Sequence, residues 1–207
     1  MKYLYEFIGT FFLVFTVGMT VLGPNAVGLM APLAIGTVLA VMIYAGGHIS
    51  GGHYNPAVSL SVYVRGKLSS KDLGLYWIVQ FAAAVVAAYL TMYLKGFPQT
   101  TPMPLDAVKA LLAEFVFTFA LCYVVLNVAT AKETKGNSYF GLAIGLTVFA
   151  GACAVGAVSS AAFNPAVAFG MNIMNFSLWS NFWIFIVANF LGGLCAAWVF
   201  KATHKNA

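Results

Sequence analysis

The chain has 207 residues, 62% of them hydrophobic and only 7% charged. Soluble domains carry about 25% charged residues, so this composition excludes a soluble globular protein and places the chain in a lipid bilayer. The net charge of +5 is no nucleic-acid footprint, because the basic residues lie in short loops between apolar runs.

Lys2 leads straight into an apolar run over about 3–22 with no cleavage-site pattern. That predicts a first membrane helix rather than a signal peptide. Further full-length runs occupy about 29–47, 73–94, 107–130, 139–158 and 180–200. Each approaches or exceeds the roughly 20 residues of a membrane helix. Two of the runs contain a carboxylate, Glu6 and Glu114. An ionisable side chain there is costly and needs a partner. It could belong to a proton or ion relay, or it could accept hydrogen bonds from the backbone of a loop at membrane depth. The matched placement of the two favours the second role. Gln80 and Asn189 are expected to help satisfy the same loops.

Between the second and third runs stands His48-Ile49-Ser50-Gly51-Gly52-His53-Tyr54-Asn55-Pro56-Ala57-Val58. Asn55 reads as a helix N-cap, and Pro56 as the first helical residue, where a missing N–H costs nothing. The apolar stretch from Ala57 lasts only to about Val64 before Arg65-Gly66-Lys67. It is too short to cross a bilayer, so it is read as a half-helix that dips in and returns. Gly51 and Gly52 permit the tight turn before it. His48 is expected to line the aqueous side as a hydrogen-bonded wall residue rather than a switch, and His53 is expected to be structural.

Asn164-Pro165-Ala166-Val167 repeats the motif 109 residues later, and the stretch after it is broken early by Gly170, Asn172 and Asn175. The same offset relates Leu33-Ala34-Ile35-Gly36 to Leu142-Ala143-Ile144-Gly145, and Gln80-Phe81 to Asn189-Phe190. Glu6-Phe7 matches Glu114-Phe115 at an offset of 108. One offset kept along the chain implies an internal duplication within a single transmembrane domain, 1–207, with a first repeat of about 1–96 and a second of about 105–207. Three full spans per half invert the second copy relative to the first. With the N-terminus inside, Lys2, Arg65, Lys67, Lys71, Lys132, Lys135, Lys201 and Lys205 are cytoplasmic, and only Lys95 and Lys109 are outside. That bias predicts cytoplasmic N- and C-termini. Cys122, Cys153 and Cys195 fall within apolar runs without a CxxC spacing, which predicts small core residues and neither a disulfide nor a metal site.

Irregular backbone at membrane depth persists only where protein buries it or where it lines an aqueous cavity. Two half-helices meeting head to head would bring the Asn55 and Asn164 amides to one place. Each amide can donate to a water oxygen. The two half-helix N-termini would add about +0.5 charge each and repel cations. Pro56 and Pro165 start the half-helices, and Ala57 and Ala166 leave room for them to touch. No nucleophile with its base, no metal-ligand spacing and no phosphate loop is visible, so no enzyme and no cofactor are expected.

On these residues the chain resembles the aquaporin, or major intrinsic protein, family over nearly its whole length. The 48–58 stretch looks like the family signature, Tyr5-Glu6-Phe7-Ile8-Gly9-Thr10 like its opening helix, and Asn164-Pro165-Ala166 like its second signature. The resemblance implies an all-α membrane protein, an inverted repeat of six transmembrane helices plus two re-entrant half-helices. It also implies a pore in each subunit, a homotetramer, and a cargo of water and small neutral solutes. The family usually places arginine after the second Asn-Pro-Ala, at its outer constriction; here Val167 stands there, followed by Ala168 where the glycerol-conducting branch commonly has aspartate. By register, the other constriction positions fall on Ile35, Ala152 and Ala161. The chain is therefore expected to be a passive channel of the cell membrane with a wide, apolar outer filter. Alternatives are a pore for another neutral solute (ammonia, carbon dioxide, hydrogen peroxide, urea or glycerol), an ion leak permitted by the missing arginine, and a non-conducting structural membrane protein.

Overall fold

The structure is a computed structural model that describes residues 1–23 and 26–204. Lys205, counted above on the cytoplasmic side, lies outside the described residues. Among the described residues eight α-helices follow one another: α1 (Lys2–Val21), α2 (Ala31–Ser50), α3 (Pro56–Val64), α4 (Ser70–Leu94), α5 (Ala107–Thr130), α6 (Phe140–Ser159), α7 (Pro165–Ile173) and α8 (Phe182–Thr203). Single 3-10 turns precede α2 and α8. Six helical spans among the described residues are long and apolar enough to cross a membrane; α3 and α7, at nine residues each, are not.

Local chemistry sets the ends. Ser69 caps α4 by accepting from the Asp72 N–H, so α4 starts three residues before the apolar run does. Asp106 caps α5 by accepting from the N–H groups of Val108 and Lys109. The Lys109 N–H, chief among these contacts, holds the Asp106 carboxyl below its ordinary range. At the opposite end of the first repeat, the Lys95 ammonium donates to the Leu22 carbonyl, just beyond α1.

The two halves pack alike. α1 lies along α2 and α4, and α5 along α6 and α8. The halves join where α2 crosses α6. A Cβ on Gly36 would stand 2.6 Å from the Gly145 carbonyl oxygen, and one on Gly145 would strike the Gly36 carbonyl in turn. Only glycine at both places lets the backbones come this close. Each half-helix is held by the other half: α3 rests on α8 and α7 on α4. A Cβ on Gly193 would lie 2.8 Å from the Ala57 carbonyl, which fixes how deep α3 sits.

One expectation fails. Of the three cysteines only Cys122 is buried; Cys195 is half-buried and Cys153 is exposed. α6 turns Gly145, Val148 and Gly151 inward, and Cys153 is two residues past the last of these, on another face. A membrane helix is apolar all round, so hydrophobicity alone does not say which face is the core.

Candidate functional site

The site begins with the two caps. The backbone of Asn55 is extended (φ −156°, ψ 122°), and its side-chain oxygen accepts from the N–H groups of Ala57 at 2.8 Å and Val58 at 3.4 Å. Asn164 does the same for Ala166 at 2.9 Å and Val167 at 3.4 Å. The amide nitrogens then cross over. Asn55 Nδ2 donates to the Phe163 carbonyl, and Asn164 Nδ2 donates to the Tyr54 carbonyl, both at 2.8 Å. Tyr54 and Phe163 have left-handed backbones, with φ of 50° and 48°. That unfavourable conformation points each carbonyl across to the other loop. Each amide thus has its oxygen and one N–H engaged, and keeps one N–H to offer. The reciprocal bonds fix which edge of each amide faces the lumen.

Behind the caps are the two carboxylates, both fully buried. Glu6 Oε1 accepts from Ser50 Oγ and the His53 N–H, and Oε2 from the Tyr54 N–H and Gln80 Nε2, at 2.7–2.9 Å. Glu114 accepts from Ser159 Oγ, the N–H groups of Ala162 and Phe163, and Asn189 Nδ2 over the same range. Every partner is a donor, the set an acceptor-only carboxylate requires. The halves differ in one detail. Gln80 also donates to Ser59 Oγ on α3, whereas α7 has Ala168 at that place and Asn189 donates instead to Thr118 on α5.

Two cavities run into this junction. A narrow one, of about 220 Å³, is lined by both asparagines and by Ile35, Ala152, Ala161 and Val167 together. A wider one, of about 910 Å³, opens at the end of the bundle that carries Lys2, Lys67, Lys132 and Lys135. His48 lines this wide vestibule, with its ring 6.4 Å from that of Tyr5, and is not among the residues lining the narrow cavity. Glu6 and Glu114 line neither.

His53 was expected to be structural, and it is buried, with Nδ1 3.1 Å from Ser59 Oγ. Yet it lines both cavities, so its ring stands at their junction. Its place two residues before Asn55 on the same loop was the available signal. Ser160 was not singled out by the sequence, and it too lines the narrow cavity. No lysine or arginine among the described residues lines that cavity: Lys95 is bonded to Leu22, and Lys109 pairs with Asp106 at 3.5 Å. No group of three His, Cys, Asp or Glu side chains among the described residues could hold a metal ion.

The sequence model of the family described as Major intrinsic protein matches residues 1–200. The chain belongs to this family. Among its relatives, Aquaporin NIP1-4 of Oryza sativa subsp. japonica is 34% identical over 205 residues, covering 95% of this chain and 74% of the relative. Aquaporin NIP1-1 of Arabidopsis thaliana is 34% identical, with 98% and 73% covered. Aquaporin TIP1-2 of Musa acuminata is 35% identical, with 85% and 74% covered. Among solved structures, the aquaglyceroporin from Plasmodium falciparum superposes with a TM-score of 0.82 at 23% identity, covering 97% of this chain and 94% of that one. Membership of the major intrinsic protein family makes this chain a passive membrane channel for water and small solutes, not an enzyme.

Proposed function

We propose that the chain conducts water and other small uncharged solutes through an apolar, open constriction at Ile35, Ala152, Ala161 and Val167. One observation carries this reading: those four residues line one cavity with Asn55 and Asn164, and no lysine or arginine among the described residues lines it with them. An arginine at position 167 would supply a fixed charge, several donors and bulk; valine supplies none of these. Size exclusion is then relaxed, and solutes larger than water pass. The free N–H of each asparagine holds a water by its oxygen, so that water's own hydrogens turn towards the two exits and break the proton relay. Cation exclusion rests on the N-termini of α3 and α7, whose dipoles act at the junction in a low-dielectric setting.

The basic vestibule faces the cytoplasm in this reading, by the bias of lysine and arginine towards that end. The chain then lies in the cell membrane with both termini inside. Four copies assemble, each with its own pore, in keeping with the family. Stopped-flow measurements on vesicles carrying the purified chain test the proposal. Water, urea, glycerol and ammonia should all cross faster than in protein-free vesicles. Water flux alone would contradict the open constriction, and background flux for every solute would favour a structural role.

A further inference from the structure

The second loop keeps side chains where the first has glycine. Gly51 and Gly52 follow α2 with φ of 91° and 64°. At the matching places after α6, Ser160 and Ala161 hold φ of 71° and 51°. This left-handed backbone suits glycine and is disfavoured once a Cβ is present. Two such residues in succession persist only where something retains them. Space permits them. A Cβ on Gly51 would stand 3.0 Å from the His53 ring, whereas the residue matching His53 is Ala162, which has no ring. Permission is not a reason, however, and glycine would relieve the backbone.

The Ser160 side chain offers the reason. Of the described residues that line the narrow cavity, four have side chains carrying nitrogen or oxygen: His53, Asn55, Asn164 and Ser160. The first three belong to the junction between the half-helices. Ser160 stands at the end of α6, beside Ala161 and on the side of the missing arginine. Its hydroxyl donates to Met103 Sδ at 3.6 Å. A thioether is a weak acceptor, so this donation is easily redirected. No donor among the described residues reaches the hydroxyl oxygen. Met103 itself is anchored, its N–H donating to the Phe176 carbonyl at 3.2 Å.

We propose that Ser160 is a specificity-determining residue of the channel, whose hydroxyl bonds small neutral solutes bearing hydroxyl or amide groups as they leave water for the apolar constriction. This rests on the channel reading above. A solute crossing a ring of Ile35, Ala152, Ala161 and Val167 gives up hydrogen bonds to water, and Ser160 returns one as donor or acceptor. Water needs this less, because in a file it keeps neighbours ahead and behind.

Two variants separate hydroxyl from backbone. Ser160→Ala removes the hydroxyl and keeps the disfavoured backbone, whereas Ser160→Gly removes both. In vesicles carrying the full chain, urea and glycerol permeability relative to water should fall roughly threefold to tenfold in both variants, the loss of about one hydrogen bond. Ser160→Gly should also melt at a higher temperature than Ser160→Ala. Unchanged ratios in both variants, with the parent passing urea and glycerol, overturn this inference alone. A fall in only one variant assigns the effect to the backbone and overturns it too. A parent that passes neither solute overturns the channel reading and this inference together.

Discussion

At the scale of single residues, the two loops are held by buried donors that have few acceptors to choose from. Removing the Glu114 carboxylate leaves the N–H groups of Ala162 and Phe163, Ser159 Oγ and Asn189 Nδ2 without the acceptor they share. Each unsatisfied buried group costs about 1–3 kcal/mol, so Glu114→Ala should lose several kcal/mol and most of the assembled protein. Glu6→Ala should do the same. Size-exclusion yield and thermal melting in detergent read this. A stable, assembled Glu114→Ala protein with altered ion flux would instead make the carboxylate part of a relay. Asn164→Leu removes both the cap of α7 and the bond to Tyr54; it should impair assembly or water flux, and an assembled variant with unchanged flux and selectivity would contradict the role given to the amides. The caps themselves could be read from Asn-Pro at the head of each short apolar stretch. The crossed bonds could not, because Asn55 and Phe163 are 108 residues apart and meet only once the halves are folded together.

At the scale of elements, the truncated stretches and the shared offset were enough to separate six spans from two half-helices. The offset also marked Gly36 and Gly145 as equivalent, and the structure shows why both are glycine: α2 and α6 touch backbone to backbone there. Gly145→Leu should force these helices apart at a cost of about 1–3 kcal/mol, the usual penalty of overpacking. The melting temperature should drop, and an unchanged value would mean that the crossing yields without cost. Which face each span buries was not legible. Uniformly apolar helices have no polar side to mark the outside, and Cys153 was misplaced for that reason. The left-handed pair Ser160–Ala161 was equally hidden, although setting the repeats side by side places serine opposite glycine.

At the scale of the whole molecule, four lysines stand together at one mouth of the bundle. Lys2, Lys67, Lys132 and Lys135 line the wide vestibule, while no lysine or arginine among the described residues lines the narrow cavity. Native mass spectrometry should find four chains per particle; a monomer active in vesicles would show that assembly is not needed for conduction. Val167→Arg tests most directly whether the absent arginine leaves the constriction open. Urea and water permeabilities of parent and variant should be measured in the same vesicles. Urea permeability should fall by a larger factor than water permeability. Equal factors for the two solutes, or a parent that already passes only water, would contradict the account.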